Sequence, residues 1–144
     1  QLNACRELGS SFVAFSPVAR GFLSGKLRDV AALDAKDIRR GMPRFEPANY
    51  AGNLKLLPAF EAVAAEAGCT PAQLALAWLL HKDSNVIPLF GTTSLEHLAE
   101  NVAAADVKLS PETMAKVERV INQRTVVGNR YSEQSNREVD TEVF

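Results

Sequence analysis

Apolar positions along the chain fall into two kinds of pattern. Two short continuous apolar runs, at 11–16 and 85–90, are consistent with strands buried on both faces. Elsewhere the apolar residues recur at helical spacing. Residues 1–8 read as the tail of a helix that ends near Gly9. Leu56, Leu57, Phe60, Val63, Ala64 and Ala67 predict a second helix, stopped by Gly68. Thr70 is placed to cap a third, with Pro71 at its first position and Gln73 completing a capping box. Leu74, Ala75, Ala77, Trp78 and Leu79 form its apolar face, so Trp78 is expected in the core. After the second strand Gly91 and Thr92 turn the chain. Thr93 with Glu96 predicts another capping box, opening a helix through about Asn101. Ser110-Pro111-Glu112 starts a last helix, with Met114, Val117, Val120 and Ile121 on one face. Pro17 ends the first strand. Residues 17–52 are rich in Gly, Pro and charge (Asp29, Asp34, Lys36, Asp37, Arg39, Arg40) and read as a long functional or flexible loop. Residues 123–144 are polar and aperiodic and read as an extended tail.

This order implies an α/β protein with parallel strands and right-handed crossovers. Two parallel strands cannot cover their own faces, and a closed parallel barrel needs about eight. The pattern therefore places about three-quarters of the sheet outside this chain. A chain that opens inside a helix fits the same expectation, a fragment of something longer. No internal repeat or low-complexity segment interrupts it.

Composition narrows the function. The 144 residues are 47% hydrophobic and 23% charged, with a formal net charge of -1. That balance gives no electrostatic argument for nucleic acid or an anionic membrane as partner. No run approaches the roughly 18 apolar residues of a membrane span, and no signal peptide is visible, so a cytoplasmic location is expected. Cys5 and Cys69 are expected as free thiols, in keeping with a reducing compartment.

Gly91-Thr92-Thr93-Ser94 joins a buried strand to a helix start, the recipe for an anion site: free backbone N–H groups and a favourable dipole. An ordinary capped turn has the same composition. Arg20, four residues past the first strand, can make bidentate contacts to phosphate, or be a solvated loop residue. Ser16 offers a hydroxyl at the strand end, or caps it. Arg39, Arg40, Arg44 and Phe45 either line a substrate pocket or solvate a loop. His81, near a helix C-terminus, is expected to bond terminal carbonyls.

Two motifs carry a resemblance. Ser16-Pro17-Val18-Ala19-Arg20-Gly21-Phe22-Leu23-Ser24-Gly25-Lys26 is similar to the segment after strand seven of many aldo-keto reductases, and Ile87-Pro88-Leu89-Phe90-Gly91-Thr92 to their strand eight. Asp37-Ile38-Arg39-Arg40, Pro43-Arg44-Phe45 and Thr70-Pro71-Ala72-Gln73-Leu74-Ala75-Leu76-Ala77-Trp78 resemble the bacterial and plant branch. The resemblance implies the C-terminal portion of a (β/α)8 TIM barrel over residues 1–144, carrying strands seven and eight, with the N-terminal half of the barrel as its missing partner. It implies NADPH-dependent, metal-free reduction of small-molecule aldehydes or ketones. By position Ser16, Pro17, Val18, Ala19, Arg20 and Gly21 would wrap the pyrophosphate. Gly91, Thr92, Thr93, Ser94, His97, Glu100 and Asn101 would hold the adenosine end, the last two facing the adenine.

The chain departs from the family pattern at the adenosine end. Thr93-Ser94 stands where Lys-Arg is common, and His97 where an Arg is common, so NADH is a second candidate cofactor. The family's catalytic Tyr, Lys, Asp and His come from the first four strands. No residue here takes those positions, Tyr50 and Tyr131 included, and the chain alone is expected to be inactive. Two other readings stay open: a non-enzymatic nucleotide-binding or regulatory subunit, as in the related potassium-channel β-subunits, and an inactive fragment.

Overall fold

The structure, a computed structural model, describes residues 1–137. Helix α1 spans Leu2–Glu7 and ends at Gly9, which takes the left-handed φ of 65°. Strand β1 (Phe12–Phe15) follows, then a series of short 3-10 turns at Ala19–Ser24, Val30–Ala32, Ile38–Gly41 and Pro43–Phe45. Helices α2 (Pro47–Leu54), α3 (Leu57–Glu66) and α4 (Pro71–Lys82) lead to strand β2 (Val86–Leu89). Helix α5 (Leu95–Val102), a 3-10 turn at Ala103–Asp106, α6 (Pro111–Val120) and the short α7 (Glu133–Asn136) complete the order.

The two strands pair in parallel, with Phe12 opposite Val86 and Phe15 opposite Leu89. The expectation of strands buried on both faces is corrected here. One face packs on the helices through Ala14 and Val86. On the other, Val13, Phe15, Ile87 and Leu89 are 49%, 50%, 52% and 57% exposed. An alternating pattern with apolar residues on both faces leaves one face open when only two strands are present.

Helix α4 is the hub, touching β2, α3, α5 and the turn after β1. Its capping box forms as the spacing predicts: the Thr70 hydroxyl accepts from the Gln73 N–H at 3.2 Å, and Gln73 Oε1 accepts from the Thr70 N–H at 3.0 Å. Leu74 and Leu76 are fully buried, each contributing about 2 kcal/mol of apolar burial. Phe60, Val63 and Ala64 of α3 and Val117 of α6 close the main core around Leu74, Ala75 and Ala77. Trp78 packs against that cluster from the edge, and its Nε1 is buried without a hydrogen-bond partner among the described residues. A second core gathers Phe22, Phe45, Tyr50 and Leu57 beneath the turns that follow β1. His81 bonds its own helix as expected, Nδ1 to the Ala77 carbonyl at 2.8 Å, and also takes the Leu109 N–H on Nε2 at 3.3 Å.

Two expectations for irregular segments are corrected. The 17–52 loop is ordered by 3-10 turns and contains most of α2. Asp29 and Asp37 cap two of those turns, accepting from Ala31 and Arg39 N–H groups. The segment from Gln123 to Arg137 packs back on the body instead of extending away; the remainder of the expected tail, 138–144, lies outside the described residues. Asn53, buried at 3% exposure, donates to the Val127 carbonyl at 3.0 Å and accepts the Val127 N–H at 2.7 Å. Gly128, at φ 89°, passes so close to Pro43 and Asn49 that a Cβ would crowd both.

Cys5 and Cys69 are free thiols. Among the described residues no single helix is long and apolar enough to cross a membrane. Nor, among them, do three or more His, Cys, Asp or Glu side chains gather as a metal cluster.

Candidate functional site

Parallel pairing puts the loops after β1 and β2 at the same end of the sheet. After β1 the backbone is strained: Ser16, Ala19 and Arg20 have φ of 55°, 48° and 55°, and Gly21 follows at 93°. Left-handed non-glycine residues cost of order 1–3 kcal/mol each and persist only where surrounding contacts over-determine them. Those contacts are present. The Ser16 carbonyl accepts the Ala19 N–H at 2.9 Å, and the Val18 carbonyl accepts the N–H groups of Gly21 and Leu23. Phe22 is buried edge-on against Tyr50, with ring centroids 5.8 Å apart.

Arg39 holds the turn from outside. Its Nη1 donates to the Arg20 carbonyl at 3.0 Å. Its Nε and Nη2 are themselves fixed by Asp37, at 2.9 and 2.7 Å. Donation from the Arg39 side chain and N–H draws the Asp37 carboxyl down to about 2. The same partnership raises Arg39 above its ordinary value. Arg39 is thus a loop clamp, while Arg40 donates to the carbonyls of Ala31 at 2.8 Å and Asp34 at 3.0 Å.

The turn after β2 is open: Gly91, Thr92 and Thr93 are exposed, and Ser94 is half-buried. The cap of α5 is Ser94, not Thr93, correcting the predicted box. Ser94 accepts the His97 N–H at 3.2 Å, and the Thr92 hydroxyl accepts the Ser94 N–H at 3.1 Å. The Thr92 bond orders the turn one residue further than the Thr93-to-Glu96 spacing suggests. Glu100 and Asn101 lie three and four residues beyond His97, both half-buried. Gln73 of α4 donates to the Glu100 carbonyl at 3.1 Å, fixing α5 against the hub helix.

The two turns meet through a residue that pattern reading passed over. Lys26 Nζ lies 3.0 Å from His97 Nε2 and donates to it. The signal was a lone cation closing the first motif after Gly25. Nothing local to that motif points it at position 97.

Beside the strained turn lies an open cavity of about 1130 Å³. Ser16, Pro17, Ala19 and Arg20 line it, with Arg44, Phe45, Trp78, Arg130 and Tyr131. Val18 and Gly21 belong to the same turn without lining the cavity. None of Gly91, Thr92, Thr93, Ser94, His97, Glu100 or Asn101 reaches it. The tyrosines differ. Tyr50 is 3% exposed, stacks on Phe45 at 5.5 Å and donates its hydroxyl to the Leu27 carbonyl at 2.7 Å, and burial raises its pKa. Tyr131 lies at the cavity beneath two guanidiniums, 5.9 Å from Arg20 and 5.3 Å from Arg130.

Comparison with known proteins supplies the family. An aldo-keto reductase, yakc, an NADP(+) enzyme of Schizosaccharomyces pombe, is 36% identical over 130 residues; the match covers 90% of this chain and 38% of that protein. A thermostable aldo-keto reductase, Tm1743, solved with the inhibitor epalrestat, superposes with a TM-score of 0.55 at 28% identity, covering 83% of this chain and 33% of its own. The glycerol dehydrogenase AKR11B4 of Gluconobacter oxydans gives a TM-score of 0.73 at 23% identity, over 88% of this chain and 38% of its own, and speaks to the fold. The chain thus spans well under half the length of these relatives. The aldo/keto reductase family model matches residues 2–122, and the chain belongs to that family.

Proposed function

We propose that this chain is the C-terminal, cofactor-gripping portion of a (β/α)8 NAD(P)H-dependent reductase of aldehydes and ketones, contributing the last two strands. The observation that carries the reading is the strained Ser16–Gly21 turn beside the Gly91 turn, at one end of a parallel strand pair. In such folds ligands bind at the C-terminal ends of the strands, and phosphates at the loops after the last two. The open face of Val13, Phe15, Ile87 and Leu89 suits strands whose remaining neighbours lie in the missing half.

The residues fit a dinucleotide. Ser16, Pro17, Val18, Ala19, Arg20 and Gly21 would bracket the pyrophosphate, with the Arg20 guanidinium as its cation. Gly91, Thr92, Thr93 and Ser94 would offer hydroxyls and N–H groups at the start of α5. His97, Glu100 and Asn101 would flank the adenosine. Lys26, bonded to His97, supplies the positive charge that Thr93 and Ser94 lack, which favours NADPH over NADH. A bound NAD(P)H supplies a hydride; this chain supplies binding and orientation. The Tyr50 hydroxyl is committed to Leu27, so it is no proton donor for a carbonyl. The chain alone is therefore expected to show no reductase turnover, and NADPH-linked turnover by it would refute that.

Titration of the chain with NADPH and with NADH, followed by nucleotide fluorescence, tests the reading. NADPH should bind more tightly. Lys26→Met should weaken NADPH about tenfold and leave NADH unchanged. Absence of binding by either dinucleotide would end it.

A further inference from the structure

Four arginines line the cavity, and among the described residues none of them is ion-paired with a carboxylate. Arg6, Arg28 and Arg39 are each ion-paired, with Asp83, Glu61 and Asp37. Arg20, Arg44, Arg130 and Arg137 line the cavity and have no such partner among the described residues. Arg20, Arg44 and Arg130 are half-buried, and Arg137 is exposed. Burial pushes the Arg44 guanidinium below its ordinary value, and repulsion from Arg130 and Arg20 pushes the same way. Like charges gathered in partial burial are unfavourable unless an anion joins them.

Local contacts place Arg20, Arg44 and Arg130. Arg44 Nε donates to the Gly128 carbonyl at 3.2 Å, which leaves the Nη groups for a ligand. Arg130 lies 4.6 Å from the Phe15 ring centroid, and Arg20 and Arg130 share the Tyr131 ring. The Asn53 clasp on Val127 and the tight passage of Gly128 hold the segment that carries Arg130 and Tyr131. Apolar side chains, including Phe15, Phe45 and Trp78, supply much of the remaining lining. A cavity with apolar walls and a cluster of guanidiniums suits an organic body that carries an oxyanion.

We propose that Arg44 and Arg130 form a subsite for a carboxylate on the carbonyl substrate, beside the Arg20 kept for the pyrophosphate, so that acidic aldehydes or ketones are the preferred substrate class. This rests on the reductase reading above. A dinucleotide pyrophosphate has the same oxyanion chemistry and its proposed residues Ser16, Pro17, Ala19 and Arg20 line one side of this cavity, so the pyrophosphate arm of the test separates the two sources.

The test titrates the 144-residue chain with 4-carboxybenzaldehyde, benzaldehyde and inorganic pyrophosphate, read by tryptophan fluorescence and by NMR. The carboxylated aldehyde should bind about tenfold or more tightly than benzaldehyde, and added salt should narrow the gap. Arg130→Gln and Arg44→Gln should each remove most of that preference and leave benzaldehyde unchanged. Arg44→Lys, which keeps the charge if the Gln variant folds poorly, should retain part of it. Equal binding of the two aldehydes would overturn the proposal. So would Arg44→Gln and Arg130→Gln weakening pyrophosphate while sparing the carboxylated aldehyde, because the cluster would then be a phosphate site. NADPH binding measured on the same samples separates the two claims. NADPH bound without carboxylate preference sinks only the subsite, whereas no NADPH binding sinks the reductase reading.

Discussion

Arg39 holds the carbonyl of Arg20 at 3.0 Å, from a different turn and nineteen positions along the chain. Arg20 sits in the left-handed region at φ 55°, so its carbonyl direction is one that an unsupported arginine would rarely keep. Asp37 fixes Arg39 through two side-chain bonds, making a relay from a carboxylate to the strained turn. The grip proposed for the pyrophosphate thus depends on Asp37 and Arg39 as well as on the turn itself.

That relay carries a pH dependence. The Asp37 carboxyl is lowered from 3.8 to about 2 by its bonds to Arg39. A depressed carboxyl stabilises the fold above its unfolded value and loses that contribution as pH falls through its folded one. Wild type and Asp37→Asn should therefore differ in urea midpoint at neutral pH and converge as pH drops from about 4 to about 2. A constant difference across that range would show that Asp37 acts without its charge.

Strain at Ala19 is testable separately. Its φ of 48° costs of order 1 kcal/mol or more in an alanine and nothing in a glycine. Glycine returns part of that gain through its freer unfolded chain. Ala19→Gly should be neutral to stabilising, by up to about 1 kcal/mol in denaturant unfolding. A loss of more than about 1 kcal/mol would mean the methyl packs in a way that outweighs the backbone.

Asn53 is the fastening of the segment beyond α6. Asn53→Ala leaves both the N–H and the carbonyl of Val127 without their partner. It should cost about 2–3 kcal/mol, with faster amide exchange at Val127. Unchanged exchange there would show that Gly128 and Arg44 hold the segment by themselves.

Trp78 carries a buried indole N–H with no partner among the described residues. Trp78→Phe removes that group while keeping an aromatic ring, and should change stability by less than about 1 kcal/mol; Trp78→Ala should cost about 3–5 kcal/mol. Equal losses for both would show that Nε1 is satisfied in the folded protein.

Local signals were legible. Thr70, Pro71 and Gln73 wrote out their own capping box, and Gly68 stopped α3 at φ 69°. Helix α2 was hidden inside the 17–52 loop, although Pro47 at its start and Tyr50, Leu54 and Leu57 at helical spacing were there to be read. Asn49, Gly52 and Asn53, all weak helix formers, blurred that pattern. Contacts across long separations left no trace in composition: Asn53 with Val127, Arg44 with Gly128, and Lys26 with His97. The polar residues beyond Gln123 looked like a solvated tail because the partners of Val127 and Gly128 lie 74 and 84 positions upstream.

The central claim is that this chain grips a dinucleotide with the ends of its two strands. Backbone NMR of the isotope-labelled chain, recorded with and without NADPH, tests it most directly. The largest shifts are predicted at the amides of Ser16, of Val18–Gly21 and of 91–101, with Lys26 among them. Saturating NADPH that leaves those amides unmoved, or shifts clustered elsewhere on the surface, would contradict it.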